Sequence, residues 1–371
     1  MGLHIGIDGS CLTAKRAGIG FYLSRLLKAL DSLSGNERYT IYSNKILPDL
    51  GLSDRFSSDV IPIPSTTFWA QTLLRLQLRN RPVDLFHTAS IGMPLWHGGK
   101  GIITVHDLAF AHFPEHKDWA TRLIWNYTVP KLIRKSTHIL ANSEFTKADL
   151  IRNLGIEASK ITATLLAADP VFAPVENPDE IAQFRKQRNL ERDYILCVGT
   201  LEPRKNIPFL LRAYANCVRK GSIDGDFVLI GKKGWLYESI FATEKELDLG
   251  DRIRFIGYVQ SDEELRRYYC GSRFFVFPSL FEGFGFPPLE AMSCGIPVIC
   301  SNRGSLPEVV GDGGLLLDPS DSSVWENRMT EWWNQGNLTE WREKALARAR
   351  SFSWQRTAEQ TLEVYRRIGK Q

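Results

Sequence analysis

The sequence predicts an α/β protein with two open, doubly wound parallel sheets. Three observations carry this. The chain has 371 residues, which at roughly 100–200 residues per domain accommodates two domains with separate cores. Short apolar runs alternate with longer stretches of helical periodicity, the pattern of parallel sheets buried on both faces. The alternation breaks once, at Asp169-Pro170-Val171-Phe172-Ala173-Pro174, and resumes after a linker from Pro174 to Pro178. Two Rossmann-like domains are therefore expected to face each other across a cleft. The first covers 1–172 and takes back a terminal helix at 354–371; the second covers 173–353.

The first series places strands at Leu3–Ile7, Tyr39–Tyr42, Val60–Ile63, Leu85–His87, Ile102–Val105 and His138–Ala141. Helical spacing of apolar residues lies between them at Phe21–Leu33, Thr67–Leu78, Trp119–Ile133 and Glu144–Asn153. The second series has strands at Tyr194–Val198, Phe227–Ile230, Ile253–Ile256, Phe274–Phe277, Val298–Cys300 and Gly314–Leu317. Its helices include Pro208–Lys220, Asp262–Cys270 and Leu289–Cys294. In Trp354–Ile368, Ala358, Leu362, Val364, Tyr365 and Ile368 recur at helical spacing, as a docking stripe should.

Composition narrows the function classes. Hydrophobic residues at 43% and charged residues at 24% are those of a globular protein and exclude a disordered or collagen-like chain. A net charge of +4 over this length does not by itself predict nucleic-acid binding. None of the six cysteines forms a C-x-x-C pair, so zinc and redox motifs are not indicated. The opening Met1-Gly2-Leu3-His4-Ile5-Gly6 reads as a strand rather than a leader. No apolar run approaches the ~20 residues of a membrane span. A cytoplasmic chain is expected.

In open parallel sheets, ligands bind beyond the carboxyl ends of the strands. The strongest candidate there is the run from Ser279 to Val298, which follows the apolar strand Phe274–Phe277. Gly283 and Gly285 let backbone N–H groups approach a ligand closely. Pro287 or Pro288 sits in the first turn of the next helix, whose positive end suits an anion such as a phosphate. Glu282 in the loop and Glu290 one turn into the helix offer acceptors to sugar hydroxyls from two depths. After strand Tyr194–Val198, the loop Thr200–Asn206 carries Arg204 and Lys205, cations that suit a pyrophosphate.

The Glu282–Glu290 spacing, inside S-L-F-E-G-F-G-F-P-P-L-E-A-M-S-C-G-I-P-V-I, resembles the signature of the retaining glycosyltransferases of family four. These have the two-domain GT-B architecture. Similar motifs run along nearly the whole chain: Val198–Asn206, Phe255–Val259, Gly304–Val309, Thr104–Leu108 and Ala141–Thr146. The closest likeness is to bacterial enzymes that assemble lipopolysaccharide, capsular or other envelope polysaccharides. The resemblance implies that Glu282 contacts the donor sugar and Glu290 the ribose hydroxyls. Gly283, Phe284, Gly285 and Phe286 belong near the sugar and diphosphate, and Tyr258 and Val259 near the base. Lys205 matches the family lysine. Many relatives carry Arg where this chain has Thr200, so Arg204 is expected to substitute. Gly18 and Gly20 match a glycine-rich loop that closes over the diphosphate from the first domain. His106, at the end of strand Ile102–Val105, matches a histidine beside the donor sugar. His87 is a weaker candidate.

No D-x-D occurs in a metal-binding context, so no metal or cofactor is expected and activity should persist in chelator. The function expected is transfer of a hexose from a nucleotide-diphosphate sugar, UDP-glucose placed ahead of GDP-mannose, to a glycan or lipid-linked glycan. A sugar-nucleotide epimerase and a nicotinamide-dependent dehydrogenase are the alternatives; against the latter, no G-x-G-x-x-G follows a strand. Two basic, aromatic stretches, Phe68–Arg79 and Trp119–Lys135, read either as membrane or acceptor contacts or as core-facing helices with a solvated basic side. The protein is expected to close about its linker when donor binds.

Overall fold

The computed structural model describes residues 2–12, 18–89, 94, 99–113 and 127–370. The chain divides into two compact units. One is Met1–Leu166 with Ser353–Gln371, and the other is Ala167–Phe352.

The first unit holds a seven-stranded sheet. Its strands are β1 (His4–Asp8), β2 (Arg38–Ser43), β3 (Phe56–Val60), β4 (Leu85–Thr88), β5 (Gly101–Val105), β6 (His138–Ala141) and β7 (Ile161–Ala163). All pairings are parallel, in the order β3-β2-β1-β4-β5-β6-β7, so the order reverses between β1 and β4. Two strands differ from expectation. β3 precedes the apolar Val60–Ile63, because Pro62 and Pro64 cannot donate to a ladder; the polar Ser57 and Ser58 are tolerated on an edge strand instead. β7 is only Ile161–Ala163, too short to show a period.

Helix Gly18–Ser32 packs on this unit with its Tyr22, Leu23, Leu26, Leu27 and Leu30 buried. The terminal helix Trp354–Lys370 packs against it. The whole expected stripe, Ala358, Leu362, Val364, Tyr365 and Ile368, is buried. A polar chain fastens this helix to the sheet. Tyr365 OH lies 2.6 Å from His87 Nδ1, His87 Nε2 lies 2.8 Å from Thr104 Oγ1, and Tyr22 OH lies 3.0 Å from that hydroxyl. With both ring nitrogens used, His87 is a structural core histidine. The stretch Thr66–Asn80 is helical with a π-turn at Trp69–Leu73; it buries Trp69, Ala70, Leu74 and Leu78 and exposes Phe68, Arg75, Leu76 and Arg79. This is a core-facing helix with a solvated basic side. The N-terminal part of the second basic stretch, Trp119–Trp125, lies outside the described residues.

Three histidines of this unit are held neutral by burial: His87 at a pKa of about 3, His106 at about 4 and His138 at about 4. All lie below the ordinary 6.5. Between these values the unfolded chain binds protons that the folded chain does not. Their stabilising contribution is thus complete above 6.5 and is lost as pH falls toward 4. Each contributes a slope of about 1.4 kcal/mol per pH unit. Urea melts should show the first unit losing stability between about pH 7 and about pH 5; a flat profile contradicts this.

The second unit holds six strands: β8 (Tyr194–Val198), β9 (Asp226–Ile230), β10 (Ile253–Gly257), β11 (Phe274–Phe277), β12 (Val298–Ser301) and β13 (Leu315–Leu317). Their order is β10-β9-β8-β11-β12-β13, again all parallel, reversing between β8 and β11. Helices at Pro178–Gln187, Glu238–Leu247, Ser322–Asn334 and Thr339–Ala349 add to those expected. Pro178 opens the first of these behind its Asn177 cap. The segment before it belongs to this unit: Phe172 meets Tyr269 edge-on at 5.8 Å, and Arg266 Nε donates to Ala173 O at 2.7 Å. The division accordingly falls after Leu166 rather than after Phe172. Among the described residues no helix is long and apolar enough to cross a membrane.

Candidate active site

In the second unit, the two expected loops leave the strands that flank the reversal point. After β8, Glu202 is extended, Pro203–Lys205 makes one 3-10 turn, and Asn206 turns left-handed at φ 55°. Asparagine tolerates that conformation, and here its amide also donates to Pro319 O at 3.0 Å. The turn swings Arg204 and Lys205 over the end of β11, where Leu280 N donates to Arg204 O at 2.8 Å.

There the structure joins Arg204, Lys205 and Glu282. Glu282 Oε1 accepts from Lys205 Nζ and from Ser279 Oγ, the latter at 2.7 Å. Glu282 Oε2 accepts from Arg204 Nη1 at 3.2 Å, and the same nitrogen donates to Phe281 O at 3.1 Å. Arg204 Nε donates to Glu202 Oε1. Lys205 Nζ also stands 4.9 Å from the centre of the Phe277 ring. Burial alone would push the Glu282 carboxyl up; Lys205 and Arg204 outweigh it and hold the group ionised, below the usual carboxylate range. Burial pulls the Lys205 ammonium down, against the opposing pull of Glu282. Two cations thus meet two carboxylates. The expected pair of loop cations is a charge-balanced quartet, in which Glu282 pre-positions both positive groups.

The Glu282 loop is held by residues to which the sequence analysis assigned no role. Ser301 Oγ donates to Ser279 O. Ser305 N donates to Glu282 O at 3.1 Å, and Ser305 Oγ lies 2.6 Å from Phe284 O. Gly304 is left-handed at φ +62°, and a Cβ there would stand 2.7 Å from Glu282 N. Gly304 and Ser305 open the family-like motif Gly304–Val309, which marked the segment without saying what it supports. Gly285, at φ 107°, opens helix Phe286–Ser293 with both prolines in its first turn. Prolines carry no N–H, so the helix start offers fewer amide donors than its position suggests.

Glu290 is buried on that helix and accepts from Tyr269 OH at 3.0 Å. Glu282 and Glu290 stand in different settings, one among cations and one against a phenol. Tyr269 carried no sequence signal beyond helical spacing. Gly283 is buried; the Phe284 ring is also buried, 5.4 Å from Phe286 and 6.0 Å from Phe352. Phe286 and Thr200 are half-buried. Tyr258 is exposed and Val259 buried, just after β10; Gly231 N donates to Gly257 O at 2.8 Å and ties the ends of β9 and β10 together.

In the first unit, His106 follows β5. Its Nε2 lies 3.1 Å from Ala89 O, a pure acceptor, so Nε2 carries the proton. Neutral at ordinary pH, the ring keeps Nδ1 as an acceptor. Tyr22 meets the ring edge-on at 4.9 Å. Gly18 and Gly20 lie within the first turn of helix Gly18–Ser32 rather than in a loop before it. A Cβ at Gly20 would stand 2.5 Å from Cys11 O, so close packing alone demands glycine there. Residues 13–17 lie outside the described set.

Two family models match the chain: Glycosyltransferase Family 4 over residues 18–164 and Glycosyl transferases group 1 over residues 179–351. The O-antigen chain mannosyltransferase B of Escherichia coli is 34% identical over 271 residues, 72% of this chain and 70% of that protein. The serotype-specific mannosyltransferase WbdA of Escherichia coli is 31% identical over 62% of this chain, which spans only 29% of that protein. The structure of Anabaena HepE in complex with UDP-glucose superposes with a TM-score of 0.76 at 19% identity, covering 97% of this chain and 98% of that one. That likeness bears on fold alone. Sequence relationship and paired parallel sheets agree: the chain belongs to glycosyltransferase family 4 and has the GT-B fold.

Proposed function

We propose that this glycosyltransferase moves a hexose from a nucleotide-diphosphate sugar to a hydroxyl of a glycan or lipid-linked glycan, in envelope polysaccharide synthesis. Transfer retains the anomeric configuration and uses no metal ion. The observation that carries this is the Arg204–Lys205–Glu282 cluster at the reversal between β8 and β11. A diphosphate placed there would find two cations already oriented. The C1–O bond to the phosphate breaks, and the new C1–O bond forms on the same face. The departing diphosphate oxygen takes the proton of the incoming hydroxyl. Arg204 and Lys205 stabilise the charge that grows on that diphosphate. Two relatives named for mannosyl transfer move GDP-mannose ahead of UDP-glucose as the donor. The reaction is placed in the cytoplasm, with any membrane contact peripheral.

A thermal-shift panel of nucleotide sugars, followed by transfer assays in excess chelator, tests this. The expected result is stabilisation by GDP-mannose, transfer that persists in chelator, and an α-linked product by proton NMR. Transfer that needs added magnesium or manganese overturns the metal-free reading. Stabilisation by UDP-glucose alone overturns the donor. Interconversion of nucleotide sugars without acceptor overturns transfer itself.

A further inference from the structure

Glu202 is the fourth charged member of the cluster. It is buried, 7% exposed, and extended at φ −152°, ψ 155°. Its carbonyl accepts from Lys205 N at 3.0 Å and closes the turn that carries the two cations. Gly234 packs against it, since a Cβ there would stand 3.2 Å from Glu202 Cβ. Glu202 therefore has little freedom, and its carboxylate takes Arg204 Nε.

That contact matters because a guanidinium is planar. Its donors point in fixed directions, unlike the rotating point charge of an ammonium. Arg204 is gripped on two edges, by Glu202 at Nε and by Phe281 O and Glu282 at Nη1. Two grips fix the plane of the fork. Losing either loosens that hold. Lys205 needs no second grip, and its ammonium rests on Glu282 and the Phe277 ring. The second carboxylate also changes the charge. Without Glu202, Arg204, Lys205 and Glu282 sum to a net positive site. With it the site is balanced, which weakens the hold on a diphosphate and eases release of the nucleoside diphosphate product.

We infer that Glu202 is a positioning residue: it sets the plane of the Arg204 guanidinium and offsets part of its charge, so that the leaving diphosphate is stabilised without being trapped. The inference rests on the glycosyl-transfer reading above. It does not depend on which base or sugar the donor carries.

Two variants separate the two effects. Glu202→Gln keeps an acceptor for Arg204 Nε and removes the charge. Glu202→Ala removes both. Calorimetry with GDP and with UDP, together with donor KM and kcat, gives the readout. Glu202→Gln should bind the nucleoside diphosphate about three- to tenfold more tightly and lower donor KM. Glu202→Ala should lower kcat about tenfold or more, because a misdirected fork no longer meets the developing charge. The fall in kcat for Glu202→Ala should vanish in an Arg204→Met background, since Glu202 positions the fork through Arg204, whereas the charge effect of Glu202→Gln on binding should persist there. Wild-type binding and turnover in both variants overturn the inference. So does equal weakening in both with a matching fall in Tm, which would make Glu202 a packing residue only. So does an undiminished fall in kcat for Glu202→Ala on Arg204→Met. Failure of the transfer reading shows separately, as a wild-type protein that binds neither GDP nor UDP.

Discussion

Glu282→Ala is expected to reduce transfer about a thousandfold or more, because it removes the group that orients both cations of the site. It is also expected to destabilise the second unit. Lys205 is buried and its ammonium would lose the carboxylate it faces, a change that costs roughly 3 kcal/mol. A loop glutamate ordinarily has a solvated side chain whose removal costs the fold little, but Glu282 is buried. Glu282→Gln is the sharper variant. It preserves shape and an acceptor for Ser279 Oγ, so it should melt closer to wild type while turnover still collapses. Turnover and urea unfolding on the same samples check this. Near-normal turnover in either variant removes Glu282 from the chemistry.

Truncation before Trp354 is expected to abolish soluble, active protein. Removal of the terminal helix strips Trp354, Leu362, Val364, Tyr365 and Ile368 from the first unit, all buried. At roughly 1.5–3 kcal/mol per buried large side chain, their loss is comparable to the whole stability of a typical domain, about 5–15 kcal/mol. Arg366 would also leave Glu37, which it holds at 2.7 Å, as a buried carboxylate without that partner. A milder variant isolates the polar fastening. Tyr365→Phe keeps the ring but takes the hydroxyl from His87 Nδ1, at a cost of about 1–3 kcal/mol. Expression level, solubility and transfer activity of the truncated chain decide the matter. A fully active truncated enzyme would make the helix an appendage.

Much of this was readable in one dimension. Strands Tyr194–Val198 and Phe274–Phe277 begin and end where the apolar runs do, because a strand buried on both faces is apolar along its length. The terminal stripe was readable because helical spacing survives whatever it docks against. Edge elements were less readable. β3 is polar and lies beside two prolines, and β7 is three residues long. Neither carries a periodic signal. Helix Thr339–Ala349 buries only Ala345 and helix Glu238–Leu247 only Ile240, Thr243 and Leu247, so neither shows a full apolar stripe.

The candidate site divides along the same line. Sequence alone located Glu282, Arg204 and Lys205, because parallel sheets present ligands at strand ends and both loops follow apolar strands. It could not show that these three touch. Contact between residue 205 and residue 282 depends on β8 lying beside β11, a pairing that no local pattern encodes. The same pairing set Glu282 against two apparently free cations; Glu202, two residues before Arg204, completes the balanced quartet from within its own loop. Ser301, Gly304 and Ser305 hold the Glu282 loop only because β12 lies next to β11. Tyr269 reaches Glu290 only through the packing of two helices. Hydrophobic periodicity is a property of neighbours in the chain, and it determined the two-sheet architecture and the loops that carry chemistry. Charge pairing and loop support are properties of neighbours in space, and only the tertiary structure decided them.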